Sequence, residues 1–253
     1  STQAKTLFPY TTLFRSVVGQ LLPAIDDESY ERLFATCRAY PGYCLPMMGL
    51  HPTSVNDNPR WREALERVER LLADPPGMRF RAVGEIGLDY HYDFSPREAQ
   101  REAFSNQLDL AIAAKKPVII HDREAHGDCL EIVMNYPKAR GVFHCFSGSV
   151  EIAQELIKRG WYLGFDGPLT YKNAKKTVQV AKIVPLDRVL LETDSPYMAP
   201  VPVRGTRNDS RNVFHIAAKF AEIRGMSTDE IIALTNENGR RFFGIQSVKE
   251  ERS

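Results

Sequence analysis

The sequence predicts a single α/β barrel of the TIM type, and three observations carry that reading. From residue 17 onward, short apolar runs alternate with longer amphipathic stretches, the pattern of a parallel sheet with crossover helices. Several of the runs, VIIH and VLLE among them, are nearly continuous in apolar character, which suits strands covered by helices on one side and by a packed interior on the other. A length of 253 residues is also about what one such barrel uses. No Pro-, Gly- or Ser-rich linker divides the chain and no internal repeat appears, so one domain is expected over 17–246, between an atypical segment at 1–16 and a polar tail at 247–253.

The expected strands cover 17–25, 43–50, 81–86, 117–121, 141–144, 161–165 and 188–192. Asp26, Asp27 and Ser29 offer caps for a helix ending near Ala39. Pro59 opens RWREALERVERLLAD, in which Trp61, Leu65, Val68, Leu71 and Leu72 share one face at helical spacing. Ser95, Pro96 and Glu98 start a third helix that runs to about Ala114 with Phe104, Leu108 and Ala111 inward. Ser227 with Glu230 forms a capping box for the last helix, whose end in RRFFG places basic residues and a glycine where a helix C-terminus favours them. Seven strands is one short of a closed barrel. The shortfall falls at the N-terminus, where TLFPYTTLFRS has neither helical nor two-residue periodicity and is interrupted by Pro9. That string is similar to the translation of a sequencing-adapter fragment, so the first strand is expected to be absent or replaced.

Composition excludes several classes. With 33 Lys plus Arg against 32 Asp plus Glu, net charge is +1, so any polyanion contact must come from a local patch. A chain that is 43% hydrophobic and 26% charged can bury a sizeable core and is not disordered. Cys37, Cys44, Cys129 and Cys145 show no CxxC spacing, and so few cysteines in a chain this long make no disulfide scaffold. No apolar run reaches the roughly 18 residues of a membrane span and no signal peptide opens the chain. A cytoplasmic protein without membrane contact or obligate protein partner is expected.

In a barrel of this kind the βα loops converge on one mouth, so the ends of strands are where a site is built. Glu85 lies in AVGEIGLDY, His121 ends VIIH, His144 ends GVFH, and Asp194 follows VLLET. Asp, Glu, His and Cys make up about a sixth of the chain, which by chance would put roughly one such residue on seven strand ends. Oxygen and imidazole donors without thiolate suit Zn, Mn or Mg. Two carboxylates allow one to bridge a pair of ions about 3.5–4 Å apart, an arrangement that activates water and clamps a phosphodiester. Each residue has a plainer reading: an ion pair closing the mouth for Glu85 and His121, a satisfied polar strand end for His144, and a turn residue before Ser195 and Pro196 for Asp194.

Taken together, GLHP at 49–52, GEIGLDY at 84–90, PVIIHDR at 117–123, HCFSG at 144–148 and ETDSPY at 192–197 resemble the motif set of the TatD family of metal-dependent deoxyribonucleases, and RGTRND at 204–209 resembles its Arg-and-Asn segment. The likeness runs from roughly residue 17 to Gly244. It implies a two-metal hydrolase of DNA phosphodiesters, a 3′–5′ exonuclease on single-stranded ends. By the same resemblance Glu85 bridges two divalent ions (Mg, Mn or Zn), His121 and His144 bind one of them, and Asp194 completes the other site while assisting the attacking water. His51 and Arg123 would approach substrate phosphate, though a turn histidine and an ion pair with Glu124 stay open. Arg204 and Arg207 lie at the expected mouth, as phosphate contacts or as solvated loop charges.

The family's opening HxH motif has no counterpart here, since no histidine precedes residue 17. The first metal site is therefore expected to be impaired. Two rivals follow: a metal-deficient barrel that binds without turnover, and a related barrel hydrolase acting on a small ester, amide or phosphoester. Lys172, Lys175 and Lys176 are read as a solvated helix start. Asp166, His91, His126 and His215 are given no ligand role, with His91 placed near the mouth.

Overall fold

The computed structural model describes residues 17–24, 26, 29–55, 60–92 and 96–245. The readings placed on segment 1–16, Asp27, Pro59, Ser95 and the tail 247–253 lie outside them. Parallel strands and helices alternate: β1 (Gln20–Pro23), α1 (Tyr30–Ala39), β2 (Cys44–Met47), α2 (Arg60–Ala73), β3 (Val83–Asp89), α3 (Arg97–Ala113), β4 (Val118–Arg123), α4 (His126–Met134), β5 (Gly141–Phe143), α5 (Val150–Lys158), β6 (Tyr162–Phe165), α6 (Lys175–Ile183), β7 (Val189–Leu191), α7 (Val213–Arg224) and α8 (Thr228–Phe243). β1 pairs with β2, and β3 to β7 form a five-stranded parallel sheet in chain order. A bridge between Met48 and Val83, with Arg81 N donating to Pro46 O at 3.0 Å and Gly84 N to Met48 O at 3.0 Å, joins the two. The result is the expected barrel architecture, with strand following strand in sequence order.

The strands separate two apolar layers. Val83, Ile86, Leu88, Val118, Ile120, Phe143, Leu163, Phe165 and Val189 face outward and pack with Phe104, Leu108, Phe220 and other helix residues. Met47, Ala82, Ile119, Val142, Tyr162 and Leu190 face inward, and Phe242 of α8 packs against them. Because strand side chains alternate, the inward positions two residues further along are Gly49, His121, His144, Gly164 and Glu192, followed by His51, Asp166 and Asp194. One end of the interior is thus an apolar plug, and the other is polar.

Two strands run past their expected ends, while the other five are shorter than expected and lie within their expected bounds. β3 reaches Asp89 and β4 reaches Arg123, because the backbone pairing continues through Gly87–His121, Leu88–Asp122 and Asp89–Arg123 after the apolar runs have ended. Glu85 is therefore within its strand and not at its end. Val83 and Ile86 both face outward although they are three apart, and the register shifts between them. That irregularity is what a β-bulge produces, and it turns the Glu85 carboxylate into the barrel. At the other end of the chain the expected capping box is present: Ser227 Oγ accepts from Glu230 N at 3.3 Å and Glu230 Oε2 accepts from Ser227 N at 2.8 Å. Among the described residues no helix is long and apolar enough to cross a membrane.

Candidate metal centre

Two groups of donors meet at the polar end of the barrel, His51–Glu85–His121 and Glu85–His144–Asp194, with the ligand atoms of each group within 4.8 Å of one another. Glu85 belongs to both. His121 and His144, expected side by side on one ion, stand in different groups: the His121 ring meets that of His51 edge-on at 4.4 Å, and His144 Nε2 lies 3.3 Å from Asp194 Oδ1.

Each group is held by buried polar contacts. Asp89, only 1% exposed at the end of β3, brings Oδ2 to 2.9 Å from His121 Nε2, while its Oδ1 accepts from His91 N and Tyr92 N at 3.0 Å each. The backbone of Asp89 is clamped by Gln100 of α3, which accepts from Asp89 N at 2.8 Å and donates to Asp89 O at 3.1 Å. Two helical turns later Gln107 does the same for Leu50, at 2.7 and 3.1 Å, and so fixes the backbone beside His51. Glu192 Oε1 lies 3.0 Å from His144 Nδ1 and accepts from Cys145 N at 2.5 Å. It can reach them because β6 carries glycine there: a Cβ on Gly164 would come within 2.2 Å of that same oxygen.

His51 differs from the other two imidazoles. Its Nδ1 accepts a hydrogen bond from Thr53 N at 3.2 Å, capping the short 3-10 turn at Pro52–Ser54. The same Nδ1 lies 2.7 Å from Thr53 Oγ1, and the other ring nitrogen, Nε2, lies 3.9 Å from Glu85 Oε2. Burial, reinforced by the neighbouring His121, holds the His51 pKa down to about 3, so the ring is a neutral donor at ordinary pH.

The electrostatics are those of a site crowded with carboxylates. Burial pushes the Glu85 pKa up, against the pull of His144. Burial alone would lower the pKa of His144, but Glu192 and Glu85 raise it well above the usual histidine value. Burial would raise Asp194, yet its hydrogen bond to His144 and that ring's charge lower it. Asp89 is held down to about 2 because its hydrogen bonds, that to His121 foremost, outweigh its burial. Asp166, 2% exposed, is pushed up to about 8 chiefly by burial; Gly167 N donates to its Oδ1, and its Oδ2 has no hydrogen-bond partner among the described residues. A concentration of buried oxygen donors with an orphaned carboxylate oxygen beside it fits divalent cations, which take such ligands together with imidazole.

Around the mouth, the Arg123 guanidinium lies over the Tyr92 ring at 4.7 Å and that of Arg204 over Tyr171 at 4.2 Å. Glu124, the alternative partner for Arg123, pairs with His91 instead, Oε1 to Nδ1 at 2.7 Å. Arg207 is exposed, as are Lys172, Lys175 and Lys176 at the start of α6. His126 bonds Asp122 at 2.7 Å, and His215 sits beside Phe214. Among the described residues, none of His91, His126 and His215 enters a donor group.

The model of TatD-related DNases matches residues 10–244. The chain belongs to the TatD-related DNase family. Among TatD relatives, it is 42% identical over 200 residues to the uncharacterized metal-dependent hydrolase YabD of Bacillus subtilis, covering 78% of this chain and 76% of that one. It is 32% identical over 236 residues to the 3′-5′ ssDNA/RNA exonuclease TatD of Erwinia tasmaniensis, covering 90% and 89% respectively. The crystal structure of the TatD homologue YjjV from Escherichia coli superposes with a TM-score of 0.83 at 30% identity, over 93% of this chain and 91% of that one. Like its TatD relatives, the chain is a metal-dependent hydrolase acting on ester bonds.

Glu192 and Asp89 are the site residues that motif reading passes over. A carboxylate behind a ligating imidazole orients the ring and raises its basicity, and losing one typically costs 10- to 100-fold in metal affinity. Glu192→Gln, which keeps the shape and removes the charge, is expected to weaken metal binding by roughly that factor, measured by competition with a chromogenic chelator. Unaltered affinity would remove Glu192 from the centre.

Proposed function

We propose that the chain hydrolyses the phosphodiester bonds of DNA, shortening single strands from their 3′ ends. The observation that carries this reading is Glu85 standing in two donor groups at once, the arrangement a bridged pair of ions needs. The printed activity of the Erwinia relative supports the substrate class. Glu85, His121, His144 and Asp194 would hold the ions, which supply Lewis acidity at the phosphate and a water of lowered pKa; Mg, Mn and Zn all suit these donors. Asp194, ionised and 36% exposed at its side chain, takes the proton of the attacking water. His51, its Nδ1 engaged by Thr53, would meet a non-bridging phosphate oxygen through Nε2. Arg123 and Arg207 meet the flanking phosphates of the strand. The ion lacking the family's HxH imidazoles is the weaker of the two. DNA is the partner in this reading, and the enzyme works in the cytosol without a membrane or an obligate protein partner.

End-labelled single-stranded DNA incubated with the protein and Mg²⁺ or Mn²⁺, beside a panel of carboxylic esters, amides and small phosphoesters, tests it. Progressive shortening of the DNA, abolished by a chelator, is expected. Turnover of the small substrates with intact DNA would transfer the chain to the rival hydrolase reading, and no turnover of any substrate would favour the metal-deficient one.

A further inference from the structure

Tyr197 stands out at the mouth. It is 74% exposed, more than any other large apolar side chain among the described residues. Exposure of a tyrosine on a loose loop means little, but this loop is pinned. Tyr197 N donates to Asp194 O at 2.6 Å, and Asn208, itself 2% exposed, donates from Nδ2 to Tyr197 O at 2.7 Å and from its backbone N to Pro196 O at 3.0 Å. The next residue is pressed against the 3-10 turn at Gly167–Thr170 that follows β6: a Cβ on Gly167 would come within 1.9 Å of Met198 O. The backbone of the tyrosine is thus fixed three residues from Asp194 while its ring projects into solvent. Among the described residues nothing stacks on that ring or bonds its hydroxyl.

The surroundings match one kind of ligand. The loop after β3 presents Tyr92, its N bonded to Asp89 behind the metal centre and its ring under the Arg123 guanidinium; the segment that carries Arg204 sets that guanidinium on Tyr171. Cations interleaved with aromatic faces around a hydrolytic centre are what an unpaired strand uses, phosphates meeting guanidinium and bases stacking on rings. A base inside a duplex has both faces occupied by its neighbours and has none to offer.

We propose that Tyr197 is the stacking platform for the base of the nucleotide next to the scissile phosphate of an unpaired strand. The inference rests on the nuclease reading and names a specificity residue within it. Its test uses two end-labelled oligonucleotides of equal length, one with bases at its terminal nucleotides and one with abasic residues there, cut by the wild-type protein and by the Tyr197→Ala, Tyr197→Phe and Tyr197→Trp variants. Stacking of one base predicts that Tyr197→Ala lowers kcat/KM on the base-bearing strand by on the order of tenfold more than on the abasic strand, largely through KM, and that the phenylalanine and tryptophan variants restore the difference. Equal losses on the two strands, or no loss on either, would overturn the stacking role and leave the nuclease reading standing. A wild-type protein that cuts neither strand would overturn both.

Discussion

Glu85→Ala is expected to lower turnover of single-stranded DNA by about 10³-fold and to abolish tight binding of divalent metal, while leaving the fold intact. Glu85 is the single residue common to both donor groups, so its loss removes a potential donor from each, whereas Asp194 or His121 belongs to one alone. The fold should not suffer, for an electrostatic reason. Burial, with Asp194 and Glu192 adding to it, pushes the Glu85 pKa up despite the opposing pull of His144 and His121, so in the metal-free protein the ionised carboxylate is disfavoured. A neutral replacement relieves that crowding, and the metal-free variant should melt at or above the temperature of the metal-free wild type. Steady-state kinetics, calorimetric metal titration and thermal unfolding of both proteins check the three parts. Activity within tenfold of wild type would remove Glu85 from the centre.

Gly87→Ala should be strongly destabilising, by about 4 kcal/mol, which for a chain of this size lowers the melting temperature by on the order of 10 °C. Two effects add. Gly87 has φ +135°, a region that side chains rarely enter, and a Cβ there would come within 2.1 Å of His121 O, a backbone atom that cannot rotate aside. Gly84 in the same motif makes a milder comparison. Its Cβ would come within 2.6 Å of the Ile119 Cβ and 3.1 Å of the Ile119 O, a looser approach than at Gly87, and its φ is ordinary. The ranking of Gly87→Ala below Gly84→Ala in melting temperature is therefore the sharper form of the prediction. A Gly87→Ala protein that melts within 2 °C or so of wild type would mean that β3 and β4 do not approach as described. Because Gly87 pairs with His121, the same variant should lose metal affinity too.

The two glycines show why GEIGLDY could be read as a motif without its purpose being legible. Apolar runs locate strands by the residues that must be buried, so the strands expected at 81–86 and 117–121 stopped where the side chains turn polar. Backbone pairing continues past that point, to Asp89 and Arg123, because a glycine lets two main chains approach. Glu85, His121, His144 and Asp194 were legible, since each is a donor at or near the end of an apolar run. Their distribution between two groups was not, because it depends on side-chain direction. Glu192 lay within reach of the sequence: Leu190 faces inward, and alternation along β7 then turns both 192 and 194 into the barrel. Gln100 and Gln107 were harder. They share the inward face of α3 with Phe104, Leu108 and Ala111, and their task is set by which backbone groups beside Asp89 and Leu50 need a partner.

Crystals soaked in Mn²⁺ and measured for anomalous scattering test the metal centre most directly. A strong peak in contact with the Glu85 carboxylate and an imidazole of His121 or His144 is predicted, with a weaker second peak about 3.5–4 Å away on the other side of the same carboxylate. Manganese bound elsewhere on the protein, with no ion touching Glu85, would contradict the account.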